Sequence, residues 1–287
     1  MNRILVEVKL DSVIIKNVNP GEETVEKTVL NYSLLQGPSF TRLDLNQCEQ
    51  FIPDLVKAGR DSFIDSTVYL IFPQSLFHTL TLPAKPELSK LQQYNEHKFE
   101  ISIIFPFLES DAFSLDVQTI AHSGFNNPDS ELVTVINNDL LNFASMVKKN
   151  TNSPRVKIIV PFLSLKEFIK KNFPDEQKSV LLHISGNSII LASLRGAEIT
   201  SVYSTNFIDI PSIPDIIDSF LLNNSSGRID KDTLSNIYFS LEEYKVGLAS
   251  LVEKWMNIKT VENFAGLPLG KVCKIPPDLL AEIRNEA

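Results

Sequence analysis

The sequence is poor in the residues that build the commonest chemical sites. Only two cysteines, Cys48 and Cys273, occur in 287 residues, and they lie far apart. That excludes a disulfide framework and points to a reducing compartment, with each thiol free and structural. The four histidines, His78, His97, His122 and His183, pair with neither cysteine nor one another at ligand spacing, so no metal site is expected. There is no Gly-x-Ser-x-Gly elbow and no cysteine with a neighbouring histidine, so no nucleophilic catalyst is visible. Lysine and arginine form no cluster, and the net charge is −8. Nucleic acid, which needs a basic footprint, is therefore not an expected partner. No apolar run approaches the ~18 residues that cross a bilayer. Residues 1–12 alternate apolar and charged side chains and lack the apolar block of a signal peptide. Glycine is scarce at 10 residues, and loops that wrap a phosphate with backbone N–H groups need it. The stretch Gly266-Leu-Pro-Leu-Gly270-Lys271-Val272 has three residues between its glycines where a P-loop has four, and Val272 replaces the Ser or Thr that would hold Mg²⁺. It reads as a plain loop after the last strand.

What is present is ample apolar material, 43% of the chain, enough for folded cores in a chain of two-domain length. The pattern predicts strands at residues 3–9, 12–18 and 25–35, with a turn at Asn19-Pro20-Gly21-Glu22. A helix is predicted over 46–59, closed by Gly59, and a doubly buried strand over 68–72. The same order recurs later: strands at 179–185, 188–194 and 198–204, a helix at 209–222, a strand at 236–240, a helix at 244–256 and a strand at 259–264. A meander of three strands followed by helix and strand, twice over, is the pattern of duplicated ribonuclease-H-like lobes. Between the repeats the pattern gives strands at 76–82, 113–121 and 132–136 and helices at 87–101 and 137–149. A strand at 156–160 and a helix at 164–172 follow. The fold class expected is therefore α/β, two ribonuclease-H-like (actin-like) lobes with an inserted small α+β subdomain. The expected division is 1–73 for the first lobe, completed by part of 151–175, then 74–150 for the insertion, 176–270 for the second lobe and 271–287 for a tail.

A run of features inside this frame carries a family likeness. Val68-Tyr-Leu-Ile-Phe-Pro73 is an apolar strand ending in proline, and Thr79-Leu-Thr-Leu-Pro83 a strand ending in Leu-Pro. A helix containing Glu96 and Glu100 follows, then Ile104-Phe-Pro-Phe107, the acids Glu109 and Asp111, and the strand Phe113-Ser-Leu-Asp-Val-Gln118. In this order the stretch resembles the PilM proteins of type IV pili and the cytoplasmic domain of the GspL proteins of type II secretion. The likeness extends to Leu181-Leu-His-Ile-Ser-Gly-Asn-Ser188, at the place of the family's second phosphate loop, and to residues 235–251.

The resemblance implies an actin-like fold, and the departures from it bear on activity. An actin-like phosphate loop needs an Asp to orient water around Mg²⁺ and glycines that let backbone N–H groups approach phosphate. Aligned on the family, Glu7 stands for the Asp of the first loop and Lys9 for its Gly. His183 stands for the Asp of the second loop and Ser185 for its Gly, followed by Gly186 and Asn187. Leu241-Glu242-Glu243 replaces a Gly-Gly pair near the adenosine. Mg²⁺ prefers oxygen ligands over imidazole, and two carboxylates would repel a nucleotide. The expectation is a pseudo-ATPase that takes no cofactor and is not an enzyme. It would be a cytoplasmic scaffold, peripheral to the inner membrane through its partners alone. By the resemblance, those partners are the tail of a bitopic inner-membrane protein and an assembly ATPase; a homodimer is also open. Phe105, Phe107 and Phe113, grouped around Pro106, are candidates for a partner patch, against a reading as a core plug. The alternatives are an active Mg-ATP-binding actin-like ATPase acting through Glu7, Lys9, Gly186 and Asn187, and an unrelated pair of α/β domains.

Overall fold

The structure is a computed structural model. It describes residues 2–18, 26–36, 42–120, 130–164, 178–185, 188–195, 198–206, 210–213, 215–216, 219–220, 234–242 and 271–274. The chain divides into two compact units. One comprises Met1–Phe77, Phe107–Ser114 and Ile136–Pro161, the other His78–Pro106, Leu115–Val135 and Phe162–Ala287.

The first unit is built on a sheet whose first three strands form a meander: β1 (Asn2–Val8), β2 (Val13–Val18) and β3 (Glu26–Leu30). They pair antiparallel in sequence. The long third strand expected at 25–35 stops at Leu30. Leu35–Gln36 (β4) pairs instead with Arg42–Leu43 (β5) as a separate two-stranded piece. Helix α1 (Leu45–Gly59) then leads to β6 (Ser66–Ile71), in which all six residues are buried. A fully buried strand loses its polar alternation because both faces are covered, and this is why Val68–Ile71 reads as a continuous apolar run. β6 lies parallel to β1, and β10 (Arg155–Ile159) lies parallel to β6. The order across the sheet is β10-β6-β1-β2-β3.

Helix α3 (Asn138–Thr151) belongs to the same unit. Asn137 caps it by accepting from the Asp139 backbone, Lys148 and Lys149 sit in its last turn, and Asn152 ends it in the left-handed region at φ 53°. Each device answers the unpaired backbone groups or dipole charge of a helix end. Its buried Phe143 meets Phe51 of α1 at 6.3 Å and Phe72 at 6.0 Å between ring centres, and Tyr32 meets Phe51 edge-on at 5.3 Å. Aromatic pairs of this kind add ~0.5–1.5 kcal/mol beyond their area burial.

Most of the inserted sheet belongs to the second unit; it is ordered β7-β9-β8 and made of β7 (Phe77–Pro83), β8 (Phe113–Thr119) and β9 (Ser130–Asn137). Helix α2 (Lys90–Ile104) starts at a capping box in which Ser89 and Gln92 satisfy each other's backbone N–H groups. The second meander follows: β11 (Lys178–Ser185), β12 (Ser188–Arg195) and β13 (Glu198–Asn206). β14 (Leu234–Glu242) runs parallel to β11, and β15 (Lys271–Lys274) parallel to β14. The order is β13-β12-β11-β14-β15. Leu181, Ile190, Ala192, Leu194 and Ile199 of this sheet form one buried cluster with Ile120, Leu132 and Phe162.

The two five-stranded sheets have the same topology. In each, the third strand lies outermost, then the second and the first, followed by two strands parallel to the first. That is the duplicated ribonuclease-H-like pattern expected from the sequence. One element differs from expectation. Lys271–Lys274, read as part of a tail, is the fifth strand of the second sheet and the counterpart of β10. A four-residue strand whose apolar content is Val272 and Cys273 is too short to show a period. The turn at Asn19–Glu22, the strand at 259–264, the helix at 244–256 and nearly all of the helix at 164–172 fall outside the described residues. Of the helix at 209–222, the described parts include helical residues 215–216 and 219–220.

Candidate functional site

The first phosphate-loop position sits at the end of β1. The chain turns tightly there, with the Lys9 backbone N–H donating to the Ser12 carbonyl at 2.8 Å. Glu7 points one carboxylate oxygen at Lys9 Nζ (2.7 Å) and the other at Lys16 Nζ (3.1 Å). Lys16 is the residue that sequence reasoning missed. It comes from β2, where the register sets Lys16 against Leu5 and Ile14 against Glu7. Glu7 and Lys16 are thus diagonal neighbours on one face of the hairpin, within reach of long side chains. Burial pushes the Glu7 carboxyl up, but the two ammonium groups outweigh it and hold the carboxyl below its usual range. Each oxygen of this carboxylate thus meets one lysine.

The second position lies in the other unit. His183 is fully buried in the middle of its sheet, opposite Ile190 on β12 and Ser240 on β14. Burial alone drives its pKa down to about 3, so the ring is neutral at physiological pH. Ser185 and Glu242 are register partners at the ends of β11 and β14. The strand register therefore sets these two positions side by side. Gly186 and Asn187 are outside the described residues.

Each described position, taken by itself, is a poor match for Mg²⁺: the Glu7 carboxylate is held in ion pairs by two lysines, and His183 puts an uncharged ring where that ion favours an oxygen ligand. Among the described residues there is no group of three or more His, Cys, Asp or Glu side chains able to hold a metal. Cys48 is buried, and its thiol is pushed up to about 12 by burial, with Asp44, Asp139 and Glu49 adding to the shift. It is a packing residue with no thiolate to offer.

The three candidate aromatics separate. Phe113 is 0% exposed and fills a core position, so it is removed from any partner patch. A buried aromatic contributes far more by packing than it would on the surface. Phe105 is half-buried and stacks on His78 at 4.7 Å. Phe107 is 64% exposed. The sequence drew attention to them as a group because Pro106 brackets two of them, and burial is not readable from that.

A second cluster was not anticipated. On α2, His97 is fully buried with Nε2 2.5 Å from Glu131 of β9 and Nδ1 3.1 Å from Glu100. Glu100 also meets Lys85 at 2.8 Å, and Lys85 reaches Glu96 at 3.3 Å. The His97–Glu100 spacing of one helical turn was visible in the sequence. Glu131 arrives only through the packing of α2 on β9.

No protein-family model and no curated protein sequence matches the chain. Solved structures do. The structure is similar to a chain of the PilM-PilN type IV pilus biogenesis complex, with a TM-score of 0.60 and 11% identity over 96% of this chain and 88% of that one. It is also similar to a Bacteroides thetaiotaomicron protein of actin-like ATPase fold and unknown function, at 0.52 and 10% over 96% and 90%. The fold is actin-like. The cytoplasmic domain of EpsL, an inner-membrane component of the type II secretion system of Vibrio cholerae, gives 0.48 and 9% over 90% and 95%. That score is too low to carry an argument. At these identities the likeness establishes architecture and leaves chemistry to the residues. No helix among the described residues is long and apolar enough to cross a membrane.

Proposed function

We propose that this chain is a non-catalytic scaffold of a type IV pilus or type II secretion-like assembly platform, cytoplasmic and peripheral to the inner membrane. It holds the tail of a bitopic membrane protein and contacts the assembly ATPase. The observation that carries the non-catalytic part is the Glu7–Lys9–Lys16 triad, which occupies the carboxylate an actin-like ATPase would turn toward Mg²⁺. The buried, neutral His183 supports the same reading from the other unit. The pilus part rests on the fold shared with a chain of the PilM-PilN complex.

A second reading, an Mg-ATP-binding actin-like ATPase, draws on one feature. Lys9 is about half exposed, at 47% of its side chain, at the loop tip, where an ammonium can meet phosphate. Calorimetric titration of the purified chain with ATP and Mg²⁺ separates the two. The scaffold reading expects no heat and no thermal shift. Binding tighter than about 100 µM, roughly −5.5 kcal/mol, overturns it in favour of the ATPase. The partner half is tested in cells. The tagged chain should sediment with inner membranes and be released by alkaline carbonate, and a chain recovered only in the soluble fraction sinks that half.

A further inference from the structure

Helix α2 carries apolar side chains on its outward side. Its buried residues are His97 and Ile101, and His97 is anchored by Glu131 and Glu100. Facing outward, Leu91, Phe99 and Ile103 are 63–72% exposed. With the exposed Asn95 they recur every four residues, so they line up as one ridge along the helix. At ~1.5 Å per residue the ridge runs for about 18 Å. Single exposed apolar residues are ordinary, whereas an aligned set with a polar rim marks a contact surface.

The charges beside the ridge point to its occupant. At about 100° per residue, Glu96 and Glu100 fall on one flank of Phe99 and Lys98 on the other. Lys85 pairs with both glutamates, one ammonium for two carboxylates, so that flank stays acidic. The face therefore complements itself. When two such helices pack ridge to ridge in the same direction, the acidic flank of each meets the Lys98 flank of the other. Packed in opposite directions, acid meets acid and lysine meets lysine. Same-direction pairing also sets Asn95 against its own copy, the device by which an Asn fixes register in parallel helix pairs. An anionic lipid surface is a poor match for an acidic flank on a chain of net charge −8.

We infer that two copies of this chain associate through α2, with the two helices running the same way. Leu91, Phe99 and Ile103 pack against their own copies, and Lys98 of each chain lies against the acidic flank of the other. One helix ridge buries far less than the ~800 Å² per partner of a standard interface, so the dimer is a weak one, forming at about 100 µM. The inference concerns α2 alone and does not rest on the scaffold reading.

The test is sedimentation equilibrium of the full chain from about 5 to about 300 µM, on either side of that dissociation constant. The weight-average mass should climb from that of one chain toward that of two. Phe99→Glu should stay monomeric throughout and keep the parent's thermal midpoint, because Phe99 is exposed. Lys98→Glu should weaken association about fivefold, and Glu96→Lys combined with Lys98→Glu should restore it. Asn95→Cys should give a disulfide-linked dimer under mild oxidation, since its two copies lie within bridging reach. The parent, with its own two cysteines, should not. A monomer across the whole range overturns the dimer, and flotation of that monomer with phosphatidylglycerol vesicles reassigns the face to lipid. A dimer indifferent to Phe99→Glu overturns the face. A charge swap that restores nothing, or crosslinks between Leu91→Cys and Ile103→Cys chains with none through Asn95→Cys, overturns the same-direction pairing. None of these results touches the ATP titration that tests the scaffold reading.

Discussion

His183 offers the sharpest test of how burial sets the chemistry at the end of β11. Its ring is fully buried, and burial lowers its pKa from 6.5 to about 3. In the unfolded chain the imidazole titrates near 6.5. Below that pH the unfolded state binds a proton that the folded state refuses, so stability falls as pH falls, and the loss is complete only near pH 3. At pH 7.5 the group contributes nothing to this balance. At pH 5, one and a half units below the unfolded value, the linkage amounts to ~2 kcal/mol. The perturbation is His183→Leu, which keeps an apolar side chain in the strand and removes the titration. Urea unfolding of both proteins at pH 7.5 and pH 5.0 gives the comparison. The wild type should lose ~2 kcal/mol more than the variant between the two pH values, with slopes in urea unchanged. Acid effects common to both proteins cancel in the difference. Equal losses refute the reasoning, as does a ring proton resonance of His183 titrating near 6.5 in the folded protein. Either result would mean that the imidazole reaches solvent, and a ligand role at this loop would return.

Two further predictions concern the fold. Glu131→Ala leaves Nε2 of the buried His97 without its partner and should cost about 1–3 kcal/mol, as a buried polar group left unsatisfied does. The double variant His97→Leu with Glu131→Ala should recover more than half of that in chemical denaturation, and strict additivity would argue that the pair is not coupled. Gly59 ends α1 directly against the buried Phe63 ring, and an added Cβ would fall inside that ring. Gly59→Ala should therefore destabilise by about 1–3 kcal/mol. Phe63→Leu in the same chain should relieve most of it, and an unchanged thermal midpoint in Gly59→Ala would show that the ring moves freely.

The sequence by itself determined the strand order and the repeat. β1, β2, β6 and β11–β13 are strong apolar or alternating runs bounded by turn residues, and local period is a property of consecutive residues. Glu7 and His183 were singled out by the family resemblance, which sets them at the places of the phosphate-loop acids, and not by local period. The sequence did not show β15, whose four residues are too few to carry a period, nor the early end of β3. The tertiary structure alone decided what the side chains at those positions do. Glu7 is neutralised because a hairpin register brings Lys16 diagonally across from it. His183 is uncharged because strands from either side enclose it, and Phe113 is core because α+β packing covers it. Burial and pKa arise from neighbours distant in the chain, and a one-dimensional pattern records only neighbours that are near.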